Sequence, residues 1–139
     1  MMFQRILLAY DGSEPAQKAY GVAADLARKY GAELFVLTVA RPPEFAEDVE
    51  TKAIIENSQD YHERLLVPLR ERAAKEGLRV RFEVAIGHPA EQIIYGADSA
   101  RADLIVVGHR GKTLFQRLLL GSISKQVIQY ANCPVLVVR

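Results

Sequence analysis

In this 139-residue chain the residues best suited to chemistry lie in one stretch: Gly108-His109-Arg110-Gly111, nine residues, then Gly121-Ser122-Ile123-Ser124-Lys125. Gly108 directly follows the apolar run Leu104-Ile105-Val106-Val107, at the carboxyl end of an expected buried strand. Open α/β sheets bind their ligands at that end. Gly111 allows the backbone to approach a ligand closely or to take positive φ. Gly121 and Ser122 open an apolar-periodic run, so their amides belong to the unpaired donors of a helix start. Such donors, at the positive end of the helix dipole, suit a phosphate chain. The hydroxyls of Ser122 and Ser124 can add hydrogen bonds. Glycines at two loop edges can also be turn formers and nothing more; their placement between a buried strand and a serine-rich helix start favours a phosphate site.

Two common phosphate loops are absent. Gly111-Lys112-Thr113 lacks the preceding glycine of a Walker A loop, and no Gly-x-Gly-x-x-Gly follows the first apolar run. Other polar residues carry open alternatives. Asp11 is a ligand contact or the start of an Asx-turn. His109 and Arg110 screen phosphate charge or face solvent. Lys112 and Arg117 could close over phosphates, although an exposed basic residue on a loop is the commoner case. His88 reads as a helix-capping or surface group, and His62 lies in a variable helical region. Three scattered histidines make no metal cluster. Cys133, before a proline at a strand start, is expected to be an inert, partly buried thiol.

The elements that must position these residues follow from the spacing of apolar side chains. Ile6-Leu7-Leu8-Ala9 and Leu34 to Val39 are nearly continuous apolar runs, as in strands buried on both faces. Between them Ser13 is a candidate N-cap, Pro15 fits a first helical turn, and Gly31 supplies the stop. A helical tract spans about Val49 to Lys75, with Ile54, Tyr61, Leu65, Leu69 and Ala73 on a broadly common face. Pro68 inside it should kink or divide it, because proline removes a backbone donor and crowds the preceding turn. Leu78, Val80, Phe82, Val84 and Ile86 alternate with Arg79, Arg81 and Glu83, a pattern suited to an edge strand. Pro89 opens a helix that buries Ile93, Ile94 and Ala97. A last helix runs through Ile123, Val127, Ile128 and Ala131, and Val135 to Val138 form the final strand.

The order is therefore βα four times, then a strand: a parallel sheet covered on both faces, with right-handed crossovers. Periodicity leaves the strand order open. No linker divides the chain, so residues 1–139 read as one domain, long enough to bury a core. The chain is half hydrophobic and a quarter charged, which excludes disorder. Eighteen basic against 17 acidic residues leave a net charge of +1, with no basic excess for capturing nucleic acid. A single cysteine excludes an internal disulfide or a thiolate metal cluster. No signal peptide or membrane-length apolar run is read, so the expected location is cytoplasmic.

Four landmarks together resemble the universal stress protein family: Ile6 to Ser13, Gly87-His88-Pro89, Gly108-x-x-Gly111-x9-Gly121-Ser122, and Cys133 to Val138. The third matches the glycine pattern of the family's ATP-binding members, and the four span nearly the whole chain in order. The resemblance implies an open five-stranded parallel α/β sheet of order 3-2-1-4-5, Rossmann-like and adenine nucleotide alpha hydrolase-like. It implies ATP, accompanied by Mg or Mn, across the crevice between the first and fourth strands. Asp11 would then contact the adenosine portion, Val39 the adenine through its backbone, and Gly108 the ribose and phosphates. Gly111, Gly121 and Ser122 would hold the phosphates, with Ser124 as a further candidate. Nothing carries over to residues 41 to 53. Members of the family commonly dimerise through the last strand, so a homodimer is expected here.

Holding a phosphate is not cleaving one. Hydrolysis needs a residue to position water, a metal and usually a basic group against developing charge. Asp11 is the one acidic side chain placed near the site, and the family assigns it to adenosine. The expectation is an ATP-binding regulatory or stress-response protein without dedicated enzymatic activity. The alternatives are a nucleotide-independent dimeric interaction protein and a slow Mg-dependent ATPase.

Overall fold

The computed structural model describes residues 2–41, 49–109 and 122–139, with 49–58 as backbone only. Its centre is β1 (Arg5–Ala9), where Ile6, Leu7 and Leu8 are all buried because neighbouring strands and both helix layers surround them. α1 (Glu14–Tyr30) starts as its sequence demands. The Ser13 hydroxyl accepts from the Ala16 amide at 3.2 Å, and Pro15 occupies the first turn. It stops at Gly31, whose φ of 63° is the left-handed conformation that a side chain disfavours. β2 (Glu33–Ala40), α2 (Val49–Glu76), β3 (Val80–Ile86), α3 (Pro89–Ala100), β4 (Leu104–Gly108), α4 (Ser122–Tyr130) and β5 (Val135–Val138) follow.

The strands form one sheet of order β3-β2-β1-β4-β5, with every neighbouring pair parallel. This is the open, Rossmann-like 3-2-1-4-5 arrangement. Side-chain alternation along the strands splits the core between the two faces. On one face Ile6, Leu8, Leu34, Val36 and Val106 meet the alanine-rich side of α1 and Leu66 and Leu69 of α2. On the other, Leu7, Leu37, Ile105 and Val107 meet Ile93 and Ala97 of α3 and Val127 of α4. The described helices include none long and apolar enough to cross a membrane.

Two expectations for α2 are corrected. Pro68 does not divide it, and one helix runs through that position. Pro68 and Arg64 both lie on the exposed face, where the carbonyl that proline leaves unpaired can bond to water. The buried face of α2 is also rotated: Leu66, Leu69 and Ala73 are buried, whereas Tyr61 is exposed and the Ile54 side chain lies outside the described residues. Spacing of 3 and 4 permits both stripes, and packing against the sheet selects one. Outside α2, Ile86 and Ile128 are exposed, the first at the end of an edge strand and the second on α4.

One contact fixes how α1 meets β4. A Cβ placed on Gly108 would lie 2.7 Å from the Pro15 carbonyl carbon and 2.9 Å from the Ala16 nitrogen, both backbone atoms that cannot rotate away. Gly108→Ala should therefore cost about 1–3 kcal/mol through overpacking, read as a fall in Tm of several degrees. Gly21, inside α1, has nothing within 4 Å of its hypothetical Cβ. Gly21→Ala should instead stabilise by about 0.5–1 kcal/mol. Thermal melts of the two variants beside the native chain check both signs.

Candidate functional site

At the carboxyl edge of the sheet the chain encloses a cleft of about 780 Å³. Its floor is Ala9 of β1, Leu37 and Val39 of β2, and Val107 and Gly108 of β4. Sheet topology explains the position: after β1 the chain leaves to one side and after β4 to the other, so the connections part and leave a crevice. Pro89 and Ile93 of α3 form one wall, and Ser122, Ile123 and Ser124 of α4 form the adjoining one.

The turn after β1 supplies the polar lip. Asp11 Oδ1 accepts from the Ser13 amide at 2.9 Å, so the Asx-turn anticipated as an alternative is formed. Gly12 at φ 81° completes it. Asp11 nevertheless lines the cleft, so the turn and a cleft-facing position coexist in one residue. Next to it, burial and then the Asp11 charge raise the Tyr10 phenol above its ordinary value. Tyr10 therefore stays neutral at physiological pH.

Of the residues singled out from sequence, the fold brings Asp11, Val39, Gly108, Ser122 and Ser124 to this one cleft. Gly111 and Gly121 lie outside the described residues, as do Arg110, Lys112 and Arg117. Ser122 is the first residue of α4 and is exposed, so its amide is among the helix's unpaired donors. Ser124 is only 7 % exposed yet lines the cleft. Gly108 has a structural reason to be glycine, namely its contact with the first turn of α1.

His109 corrects one alternative. It is 5 % exposed, its amide donates to the Val138 carbonyl at 2.7 Å, and it is not among the residues lining the cleft, so it does not face solvent. His88 precedes α3 on the surface and makes no side-chain capping bond. Burial, with Asp103 and Asp98 nearby, pushes the Cys133 thiol up, which favours the unreactive protonated form. The cleft also holds two residues that sequence reasoning passed over, Arg41 just after β2 and His62 on α2. Arg41 carried a signal, since it follows directly on the carboxyl end of a buried strand. His62 carried none, because only the packing of α2 brings it here.

Among the described residues, no three His, Cys, Asp or Glu side chains come together as a metal site. Asp11 is the carboxylate in the described walls. Helix-terminal amides, serine hydroxyls, a carboxylate and an apolar floor make an arrangement fit to bind an elongated molecule with an anionic end.

Comparison with known proteins agrees with this architecture. A universal stress protein of Thermus aquaticus is 37 % identical over 140 residues, spanning 99 % of this chain and 100 % of the relative. YxiE of Bacillus subtilis, another universal stress protein, is 33 % identical over 153 residues, spanning 99 % and 100 %. The solved structure of UspA from Lactobacillus plantarum superposes with a TM-score of 0.86 at 25 % identity, covering 100 % of this chain and 99 % of that one. Two more distant structures share the fold: one in complex with cAMP (TM-score 0.76, 22 % identical) and one from Arabidopsis thaliana with AMP bound (TM-score 0.71, 18 % identical). The family model described as "Universal stress protein family" matches residues 2–139. With a match of that extent, relatives a third identical from end to end and the same strand order, the chain belongs to the universal stress protein family.

Proposed function

We propose that this chain is an ATP-binding regulatory or stress-response protein, acting in the cytoplasm as one domain over residues 1–139. The observation that carries the reading is the convergence of Asp11, Val39, Gly108, Ser122 and Ser124 on one cleft from four separate points along the chain. The triphosphate lies at the start of α4, where amides and the Ser122 and Ser124 hydroxyls offer donors without reorganisation. Gly111 and Gly121 add backbone donors there by the family pattern. The adenosine half extends over β1 and β2, with Asp11 at the ribose and the Val39 backbone at the base. That the fold accommodates adenine nucleotides in two distant relatives supports the choice of ligand class.

Mg or Mn would come with the nucleotide and take its oxygens chiefly from the phosphates, because Asp11 is the carboxylate available in the described walls and one of its oxygens already accepts from Ser13. No residue of the described cleft is arranged beside the phosphate end as a base for water, so the proposed role is to hold the nucleotide. Denaturing the purified protein and identifying what it releases by mass spectrometry tests this directly. The native chain should release ATP and the Gly121→Val variant none. Saturating Mg-ATP at a hundred times Kd should add about 2.7 kcal/mol to the stability of the native chain. An empty native protein whose Tm does not respond to Mg-ATP overturns the reading.

Assembly enters the same proposal. β5 is a sheet edge, and Leu136 on it is 36 % exposed, an apolar edge of the kind that pairs with another copy. The chain is proposed to form a homodimer through this strand. Light scattering at micromolar concentration should give twice the monomer mass, and Leu136→Lys should shift it toward one. A native monomer at that concentration overturns the dimer and leaves the nucleotide reading intact.

A further inference from the structure

The cleft crosses three strands, and its two ends differ chemically. Gly108, Ser122 and Ser124 stand at the β4 end, and Arg41 and His62 at the β2 end. β1 lies between β2 and β4, so the two ends are separated by two inter-strand spacings, about 10 Å. A nucleoside attached to a phosphate held at the start of α4 is long enough to extend across that distance toward Arg41. Two observations hold His62 in place. Leu66, one turn further along α2, is fully buried in the core. Leu65 lies against the Asp11–Ser13 turn, its Cδ2 3.1 Å from where a Cβ on Gly12 would be. Positions three and four apart share a helix face, so the helix that seats Leu65 and Leu66 presents His62 along the same side. The Tyr61 ring packs edge-on against the imidazole, with centroids 5.2 Å apart, and limits its rotation.

We propose that Arg41 and His62 are specificity-determining residues that read the purine–ribose half of the nucleotide. This inference rests on the ATP-binding reading above. A guanidinium is planar and weakly hydrated, and it stacks on an aromatic face. An imidazole offers one donor and one acceptor to the edge of a base or to a ribose hydroxyl. Asp11 lies between this pair and the serines and repels phosphate, so the sugar is the part of the ligand suited to it. The β2 end thus selects a nucleoside over a bare polyphosphate, and the α4 end holds the phosphates of either.

The test uses the native full-length chain, Arg41→Gln, His62→Gln and a Ser122→Ala/Ser124→Ala double variant, with calorimetric titration of Mg-ATP and of Mg-tripolyphosphate. Arg41 is exposed and His62 only partly buried, so both single variants should keep the native Tm, which is measured alongside. Each should weaken ATP binding by about 3- to 30-fold and leave tripolyphosphate binding unchanged. The double serine variant should weaken both ligands. If ATP binding depends on the serines and is undiminished in Arg41→Gln and His62→Gln, the inference is overturned and the ATP-binding reading stands. Loss of tripolyphosphate binding in Arg41→Gln would put the phosphates at the β2 end and also overturn it. A native chain that binds neither ligand overturns both readings together.

Discussion

The contact between the start of α1 and the end of β4 governs the geometry of the cleft. Gly108 presents no Cβ, so the Pro15 and Ala16 backbone settles directly on the strand end. That contact fixes the direction in which the chain leaves β1, and with it the position of the Asp11–Ser13 turn. The Ser13 cap and the Asp11 carboxylate then satisfy the amides of Ala16 and Ser13. A side chain at position 108 would push α1 outward and move the lip of the cleft with it. A glycine that reads in the sequence as a ligand-approach residue is thus the point on which the packing of α1 against β4 turns.

Charge and polarity along the cleft are distributed rather than concentrated. The α4 end offers neutral donors whose dipoles are held by the helix, the middle carries the Asp11 carboxylate, and the β2 end carries Arg41 and His62. Tyr10, its ionisation suppressed by burial and by Asp11, adds no charge. On the proposed reading, such an arrangement discriminates among ligands by the order of their parts. A molecule with an anionic end, a hydroxylated middle and a flat aromatic end matches it in one orientation.

α2 is the element whose placement was hardest to anticipate and on which the β2 end depends. It is held by Leu66, Leu69 and Ala73 against the sheet, and by polar contacts to α1 at its far end. Arg28 of α1 pairs with Glu76 at 3.0 Å, Glu76 also accepts from Arg72 at 2.9 Å, and Arg72 lies over the Tyr20 ring. The ion pairs are largely exposed and contribute little to stability individually. The rotation of α2 about its axis is set by the burial of Leu66, Leu69 and Ala73 against the sheet, and that rotation brings His62 to the cleft and leaves Tyr61 exposed.

By itself the sequence determined what local rules and long apolar runs can determine. The buried strands, the Ser13 cap with Pro15, the Gly31 stop and the edge character of Val80 to Ile86 all follow from interactions between residues close in the chain or from a period of two. The phosphate-suited start at Ser122 follows from helix-end chemistry. The family pattern then supplied the strand order, which periodicity cannot contain, because a crossover of either destination has the same local sequence. Only the tertiary structure decided which helical stripe of α2 is buried, that His109 is inside, that Gly108 is required by Pro15, and that Arg41 and His62 share a cleft with Ser122 and Ser124. These are contacts between residues up to 93 positions apart (Gly108 and Pro15), set by the packing of whole elements against one another, and no local spacing encodes them.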